Sequence, residues 1–126
     1  MELINDPENP LLEILTSQGY RLIPIYSIIY IKADGKGSSI ILQDSEKIIT
    51  RNLLNSYETL LPAEVFYRCH NSYIINLSYI KTYNRYTVRF TNESIIPISR
   101  NNSRAVREKV IRFMQFRRTN YTRNST

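Results

Sequence analysis

The chain has 126 residues, 42% of them hydrophobic, which is enough for one globular domain with its own core and too little for two ordinary ones. No apolar run approaches the roughly 20 residues that a membrane span needs. The N-terminus is acidic and polar, unlike a signal peptide. A single Cys excludes an internal disulfide and is consistent with the reducing cytoplasm. The net charge is +6, but residues 1–60 carry −3 (five Lys/Arg, eight Asp/Glu) and residues 61–126 carry +9 (twelve against three), which predicts a polyanionic partner.

Residues 1–20 are predicted to form an N-terminal leader outside the main domain. The apolar segment at residues 11–15 follows Pro10, and proline is favoured at the first position of a helix. Gly19 is a typical helix stop, so the pattern predicts a short helix of one or two turns. Two interpretations stay open: the helix packs on the domain or contacts a second copy, or the terminus is loosely docked.

From residue 21 the sequence is rich in strand signals. Arg21-Leu22-Ile23-Pro24 predicts an edge strand, because proline cannot donate a hydrogen bond to a strand ladder. Residues 27–33 and 38–43 are β-branched runs joined by Asp34-Gly35-Lys36-Gly37, and they predict a hairpin. Residues 47–50 predict a further strand.

The middle of the chain changes from helical to strand periodicity. Residues 53–61 place apolar side chains at helical spacing and end at Pro62, which predicts a helix. Residues 66–70 alternate like a half-buried strand. The alternation breaks at His70-Asn71-Ser72, residues that favour turns and caps, and residues 71–77 are predicted to form one short helical turn.

The last third predicts a hairpin, an edge strand and a helix. Residues 79–83 and 86–91 form the hairpin, and residues 94–99 form the edge strand, which contains Pro97. Residues 103–116 carry an apolar face at helical spacing, and residues 117–126 are predicted to be a basic polar tail. Short strands separated by turns argue against a parallel α/β fold and predict a mainly β, antiparallel domain with peripheral helices.

One segment resembles a known family. Residues 66–76, FYRCHNSYIIN, resemble the signature F-x-R-x-H-(R/N)-S-(Y/F)-aliphatic-aliphatic-N of the LytTR DNA-binding domain, the output module of many bacterial response regulators of the LytR/AlgR type. Residues 28–31, 53–61 and 97–100 resemble further family segments in the same order, and the whole resemblance spans about residues 21–115. It implies an elongated arrangement of small antiparallel sheets with a C-terminal helix, in which loops rather than a recognition helix enter the major groove.

The resemblance also implies DNA-contacting residues. The family's residue at the position of Asn71 contacts DNA, and an Asn amide can bind adenine through two hydrogen bonds; an Asx-type cap is the alternative. Arg100 matches a DNA-contacting Arg before a helix N-terminus, itself an anion site; a solvated Arg is the alternative. A third contact falls in the first hairpin, where a plain solvated turn is the alternative. The predicted base contacts are Asn71, Arg100 and Ser38, and the predicted backbone contacts are Lys36, Ser39, Arg68, His70, Asn101, Asn102, Arg104 and Arg107.

Metal, cofactor and catalytic sites are not predicted. His70 and Cys69 are the only residues of their types, whereas zinc sites normally need four ligands. Adjacent residues on a strand point to opposite faces, so this pair is not arranged as a base and a nucleophile. Cys69 is expected in the core, and His70 is expected to order the turn or bind a phosphate.

The sequence therefore predicts a cytoplasmic bacterial transcriptional regulator of a two-component system that binds double-stranded DNA sequence-specifically. The expected site is a short direct repeat, bent on binding, with a homodimer on DNA and a separate signalling partner as further possibilities, and no membrane contact. Two other classes stay open: a single-stranded nucleic-acid or RNA module that uses Tyr stacking, and a protein-interaction module that uses the edge strands containing Pro24 and Pro97.

Overall fold

A five-stranded antiparallel sheet lies at the centre of the protein, between two smaller antiparallel sheets. The structure is a computed structural model that describes the backbone of residues 1–124 and the side chains of residues 1–117. Its strands are β1 (Glu2–Ile4), β2 (Leu11–Thr16), β3 (Gly19–Pro24), β4 (Ile28–Asp34), β5 (Gly37–Leu42), β6 (Lys47–Thr50), β7 (Phe66–His70), β8 (Tyr73–Asn76), β9 (Ile80–Tyr83), β10 (Thr87–Phe90) and β11 (Ile95–Pro97). The helices are α1 (Leu54–Glu58) and α2 (Ser103–Asn124), with 3₁₀ turns at Ile25–Ser27 and Leu77–Tyr79.

The central sheet has the strand order β6-β5-β4-β8-β7 and buries apolar side chains on both faces. Ile74 and Ile75 of β8 are adjacent, so they point to opposite faces, and each enters a different core. The first core contains Ile74 and is covered by the N-terminal sheet and α1, whereas the second contains Ile75 and is covered by the C-terminal sheet and α2. This arrangement confirms the predicted mainly β fold of small antiparallel sheets.

The N-terminal sheet has the order β1-β2-β3, and it corrects the prediction for residues 11–15. These residues form a strand rather than a helix, because Leu12 and Ile14 alternate into the first core while β2 pairs with β3 from Leu11↔Pro24 to Thr16↔Gly19. Gly19, with φ +110°, follows the β2–β3 turn instead of ending a helix. The predicted edge position of the Pro24 strand is confirmed.

The C-terminal sheet has the order β11-β10-β9 and packs with α2 around Val88, Phe90, Val106 and Phe113. The predicted hairpin and the edge position of β11 are confirmed. Two predictions are wrong. Residues 73–76 are strand β8, paired with both β4 and β7, rather than a helical turn. Helix α2 runs on to Asn124, through most of the predicted tail, and the last two residues lie outside the described chain.

Candidate nucleic-acid interface

Three polar connections meet at one end of the central sheet. The β4–β5 turn at residues 35–36 lies beside the β7–β8 turn at residues 71–72, because Lys32 pairs with Tyr73 and the Ala33 N–H donates to the Ser72 carbonyl oxygen at 2.8 Å. The segment after β11 joins them, since the Ser99 N–H donates to the Cys69 carbonyl oxygen at 3.0 Å. The fold thus brings together three segments that are far apart in sequence.

Asn71 lies at the exposed tip of the β7–β8 hairpin, between the paired residues His70 and Tyr73. The alternative role of an Asx-type cap is taken by His70, whose Nδ1 accepts the Ser72 N–H at 3.0 Å. The His70 ring also meets the Tyr73 ring edge-on, with centroids 5.7 Å apart. The prediction that His70 orders the turn is confirmed, and the Asn71 amide remains at the surface.

Arg100, Asn101, Arg104 and Arg107 are exposed around the start of α2, as a DNA-binding surface requires. Asn102 is only partly exposed. The prediction that it contacts the DNA backbone is corrected, because its side-chain amide is hydrogen-bonded within the protein. Its Nδ2 donates to the Cys69 carbonyl oxygen at 3.2 Å and to Ser99 Oγ at 2.6 Å. Its side chain therefore fastens the start of α2 to β7.

Ser38 and Ser39, predicted as DNA contacts, are both buried in β5. The Ser38 hydroxyl donates to the Asn52 carbonyl oxygen at 2.7 Å, and its oxygen lies 3.1 Å from Thr50 Oγ1 and 2.8 Å from the Tyr57 hydroxyl. The Ser39 hydroxyl donates to Asp34 Oδ2 at 2.8 Å. These predictions are wrong because both hydroxyls form hydrogen bonds within the protein, whereas Lys36, at the end of the same hairpin, is exposed.

Arg68 is half-buried, and its guanidinium is bound within the protein. Its Nη1 donates to Asn55 Oδ1 at 2.5 Å and forms an ion pair with Glu58, both on α1. Its Nη2 donates to the carbonyl oxygen of Asn71 at 2.7 Å. Arg68 therefore joins the hairpin tip to α1, a contact that sequence analysis did not anticipate.

Cys69 is fully buried in the second core, which confirms its predicted place. Burial raises the pKa of its thiol to about 12, so the reactive thiolate is strongly disfavoured. Its thiol lies 3.8 Å from the Pro97 carbonyl oxygen. Among the side chains of residues 1–117, no three His, Cys, Asp or Glu groups come together in a way that could hold a metal ion.

Two basic residues near this end were missed by sequence analysis. Arg51 is exposed directly after Thr50, whose carbonyl group lies against Gly37 beside the β4–β5 turn. Lys109 of α2 places its Nζ 5.6 Å from the centre of the Tyr67 ring, and it lines an open cleft of about 470 Å³ with Arg68 and Asn71. Lys109 could not be assigned to this surface from the sequence, because only the packing of α2 against β7 shows which strand it meets.

Comparisons with known proteins agree with these features. The sequence profile of the LytTr DNA-binding domain matches residues 18–111. A solved structure described as the LytTr DNA-binding domain of a response regulator from Bacillus cereus superposes with a TM-score of 0.68 at 24% identity, covering 79% of this chain and 95% of that one. No curated protein matches the chain.

The helices within residues 1–124 include none that is long and apolar enough to cross a membrane. The matched profile spans most of the chain, from the β2–β3 turn to the middle of α2, and includes the three polar connections described above. The protein therefore belongs to the LytTR DNA-binding domain family, and it is a DNA-binding domain.

Proposed function

We propose that the protein reads base edges in the major groove of double-stranded DNA through Asn71 and Arg100. The observation that carries this proposal is the hydrogen bond from the Ser99 N–H to the Cys69 carbonyl oxygen, 3.0 Å long. It holds the Arg100 segment beside the Asn71 hairpin, so that one amide and one guanidinium project from the same end of the sheet. An Asn amide pairs with adenine and an Arg guanidinium with guanine through two hydrogen bonds each.

The surrounding charge supports backbone contacts on either side of these two residues. Lys36 lies in the neighbouring turn, Asn101 is exposed beside Arg100, and Arg104 and Arg107 are exposed along α2. Such contacts fix the register of a protein on DNA without reading sequence. His70 acts here by shaping the turn, and a phosphate contact through its second ring nitrogen is part of the proposal.

The regulatory setting is inferred from the family. We infer a bacterial cytoplasmic regulator whose site is a short direct repeat, bent on binding and occupied by two copies. A separate signalling partner in a two-component system would control that occupancy. The proposal involves no cofactor and no catalytic step.

Tyr stacking on single strands is less well supported by the packing. Tyr30 stacks on Phe90 with centroids 5.4 Å apart, and it also meets Tyr73 at 6.1 Å. Tyr67 and Tyr79 are likewise packed against the second core. These rings are therefore engaged inside the protein, although Tyr20 and Tyr86 are 72% and 69% exposed.

Selection from a random duplex library, followed by affinity measurements against salt, tests the proposal. We expect one enriched sequence motif, and a loss of about 1–3 kcal/mol in discrimination at one base for each of Asn71→Ala and Arg100→Ala. Lys47→Ala is the matched control, because it removes an exposed charge at the opposite end of β6. No enrichment, or tighter binding of single strands than of any duplex, would contradict base reading.

A further inference from the structure

We propose that Arg68 is a positioning residue for base reading rather than a phosphate contact. The position of the Asn71 turn relative to α1 is fixed by the contacts of Arg68 with Glu58 and Asn55. This position determines the sequence preference at the base that Asn71 reads. The inference rests on the proposed function of Asn71 and deepens it by assigning a specificity-determining role to residues that do not touch DNA.

The ladder between β7 and β8 is irregular next to the turn. Tyr67 pairs with Ile75 and His70 with Tyr73, so two residues of β7 stand opposite one residue of β8 and form a bulge. Arg68 lies within this bulge. A bulge interrupts the ladder bonds between β7 and β8 and bends its strand. The bond from Arg68 Nη2 to the Asn71 carbonyl oxygen therefore supports the hairpin tip on the β7 side, in addition to the bond from the Ala33 N–H to the Ser72 carbonyl oxygen on the β4 side.

The other end of that attachment is firmly placed. Asn55 and Glu58 are three residues apart on one face of α1, while Leu54 and Tyr57 of the same helix are buried in the first core. The Tyr57 hydroxyl also lies 2.8 Å from both Ser38 Oγ and Thr50 Oγ1. Helix α1 therefore links the β4–β5 hairpin, which carries Lys36, to the hairpin that carries Asn71.

The local charge also disfavours a phosphate contact. The Glu58 side chain is 43% exposed and the Arg68 side chain 29% exposed, and the pair has no net charge. Releasing Arg68 to a phosphate would leave Glu58 unpaired close to the DNA backbone. A guanidinium is suited to bridging several acceptors at once, because its donors are fixed in one plane, whereas a Lys ammonium is a single point charge.

Glu58→Gln and Arg68→Lys test the role, with Glu64→Gln as the matched control. Glu64 is an exposed acid that lines a neighbouring cleft with Lys109 and Arg112. We expect Glu58→Gln and Arg68→Lys to lower discrimination at the Asn71 base by about 3- to 10-fold, less than Asn71→Ala, with the slope of affinity against salt unchanged. Glu64→Gln should strengthen binding to all duplexes slightly and leave discrimination intact.

The change in DNA binding caused by Glu58→Gln distinguishes a positioning role of Arg68 from a phosphate contact. If Glu58→Gln only raises affinity for every duplex, as Glu64→Gln does, the inference is wrong. If Arg68→Ala reduces the salt slope by about 0.9, Arg68 contacts a phosphate and the inference is also wrong.

Amide chemical shifts of residues 71 and 72, measured without DNA, give an independent readout. Glu58→Gln should move them and Glu64→Gln should not; unchanged shifts in both variants would overturn the inference. Loss of discrimination in Asn71→Ala but not in Glu58→Gln leaves the proposed function standing and rejects this inference alone. Unchanged discrimination in Asn71→Ala rejects the proposed function, whereas the shifts still decide the role of Arg68.

Discussion

Two polar networks hold α1, and they differ in chemistry and in exposure. On one side, the hydroxyl groups of Ser38, Thr50 and Tyr57 lie within 3.1 Å of one another in the interior. On the other side, Arg68 meets Asn55 and Glu58 at the surface. Neutral hydroxyls that satisfy each other can be buried at little cost, whereas half-exposed charges are screened by water and add little stability.

The difference separates two tasks that α1 performs. The buried network fixes α1 to the β5–β6 end of the sheet, so its loss should lower the free energy of unfolding. The exposed network attaches the Asn71 turn to α1, so its loss should change DNA preference with little effect on stability.

Gly37→Ala should cause the largest loss of stability. A Cβ at Gly37 would lie 2.1 Å from the Thr50 carbonyl oxygen and 2.9 Å from the Arg51 Cα, both backbone atoms, so β5 and β6 would have to separate. We expect a loss of about 3 kcal/mol or more in urea unfolding. Gly35→Ala is the control: a Cβ there meets no atom within 4 Å, and only its φ of +60° opposes the change. Equal losses in the two variants would show that the close approach is not what requires Gly37.

Thr50→Val should destabilise the protein by about 1–3 kcal/mol, because it keeps the side-chain shape and removes one hydroxyl from the buried network. Thr50 Oγ1 also accepts the Asn52 N–H at 3.2 Å, which loses its partner. Thr59→Val serves as the comparison, since the Thr59 hydroxyl bonds the Ser56 carbonyl oxygen at the exposed end of α1. Thermal and urea unfolding measure both. A Thr50→Val protein as stable as the Thr59→Val protein would remove the distinction between the two networks.

The smallest effect is expected at the exposed ion pair between Arg21 and Glu46, which shows what such a pair contributes away from the proposed interface. The hydrogen bond from Arg21 holds the pKa of Glu46 below its ordinary value of 4.5. A lowered carboxyl pKa contributes stability above pH 4.5 that is lost as the pH falls through the folded-state value. Glu46→Gln should therefore be slightly less stable than the parent at pH 7, with the difference vanishing in acid.

Urea unfolding of both proteins at pH 7 and in acid measures this difference, and an NMR titration of the Glu46 carboxyl gives its pKa directly. A difference that grows as the pH falls would contradict the assigned direction. A large difference at pH 7 would show that exposed pairs matter more here than expected, and would weaken the contrast between the two networks.

Local sequence patterns determined most of the strands. Hairpins such as β4–β5 and β9–β10 were predictable because β-branched runs, turn residues and period-two alternation all act within a few residues. The signature at residues 66–76 also indicated the family and the place of Asn71 at a turn. The segment at residues 11–15 was misread because its short apolar run suits either a helix or a strand, and only pairing with β3 selects the strand.

Tertiary structure alone decided which polar side chains face the solvent. Ser38 was predicted to contact DNA from the first hairpin, but the hydroxyl of Tyr57, 19 residues later, lies 2.8 Å from the Ser38 hydroxyl in the buried network. Asn102 looked like an exposed helix-start residue, but it bonds the backbone of Cys69, 33 residues earlier. Sequence by itself determined which segments become strands and turns, because those preferences are local. The fold decided which groups remain free for DNA, because burial and hydrogen bonding depend on residues that only folding brings together.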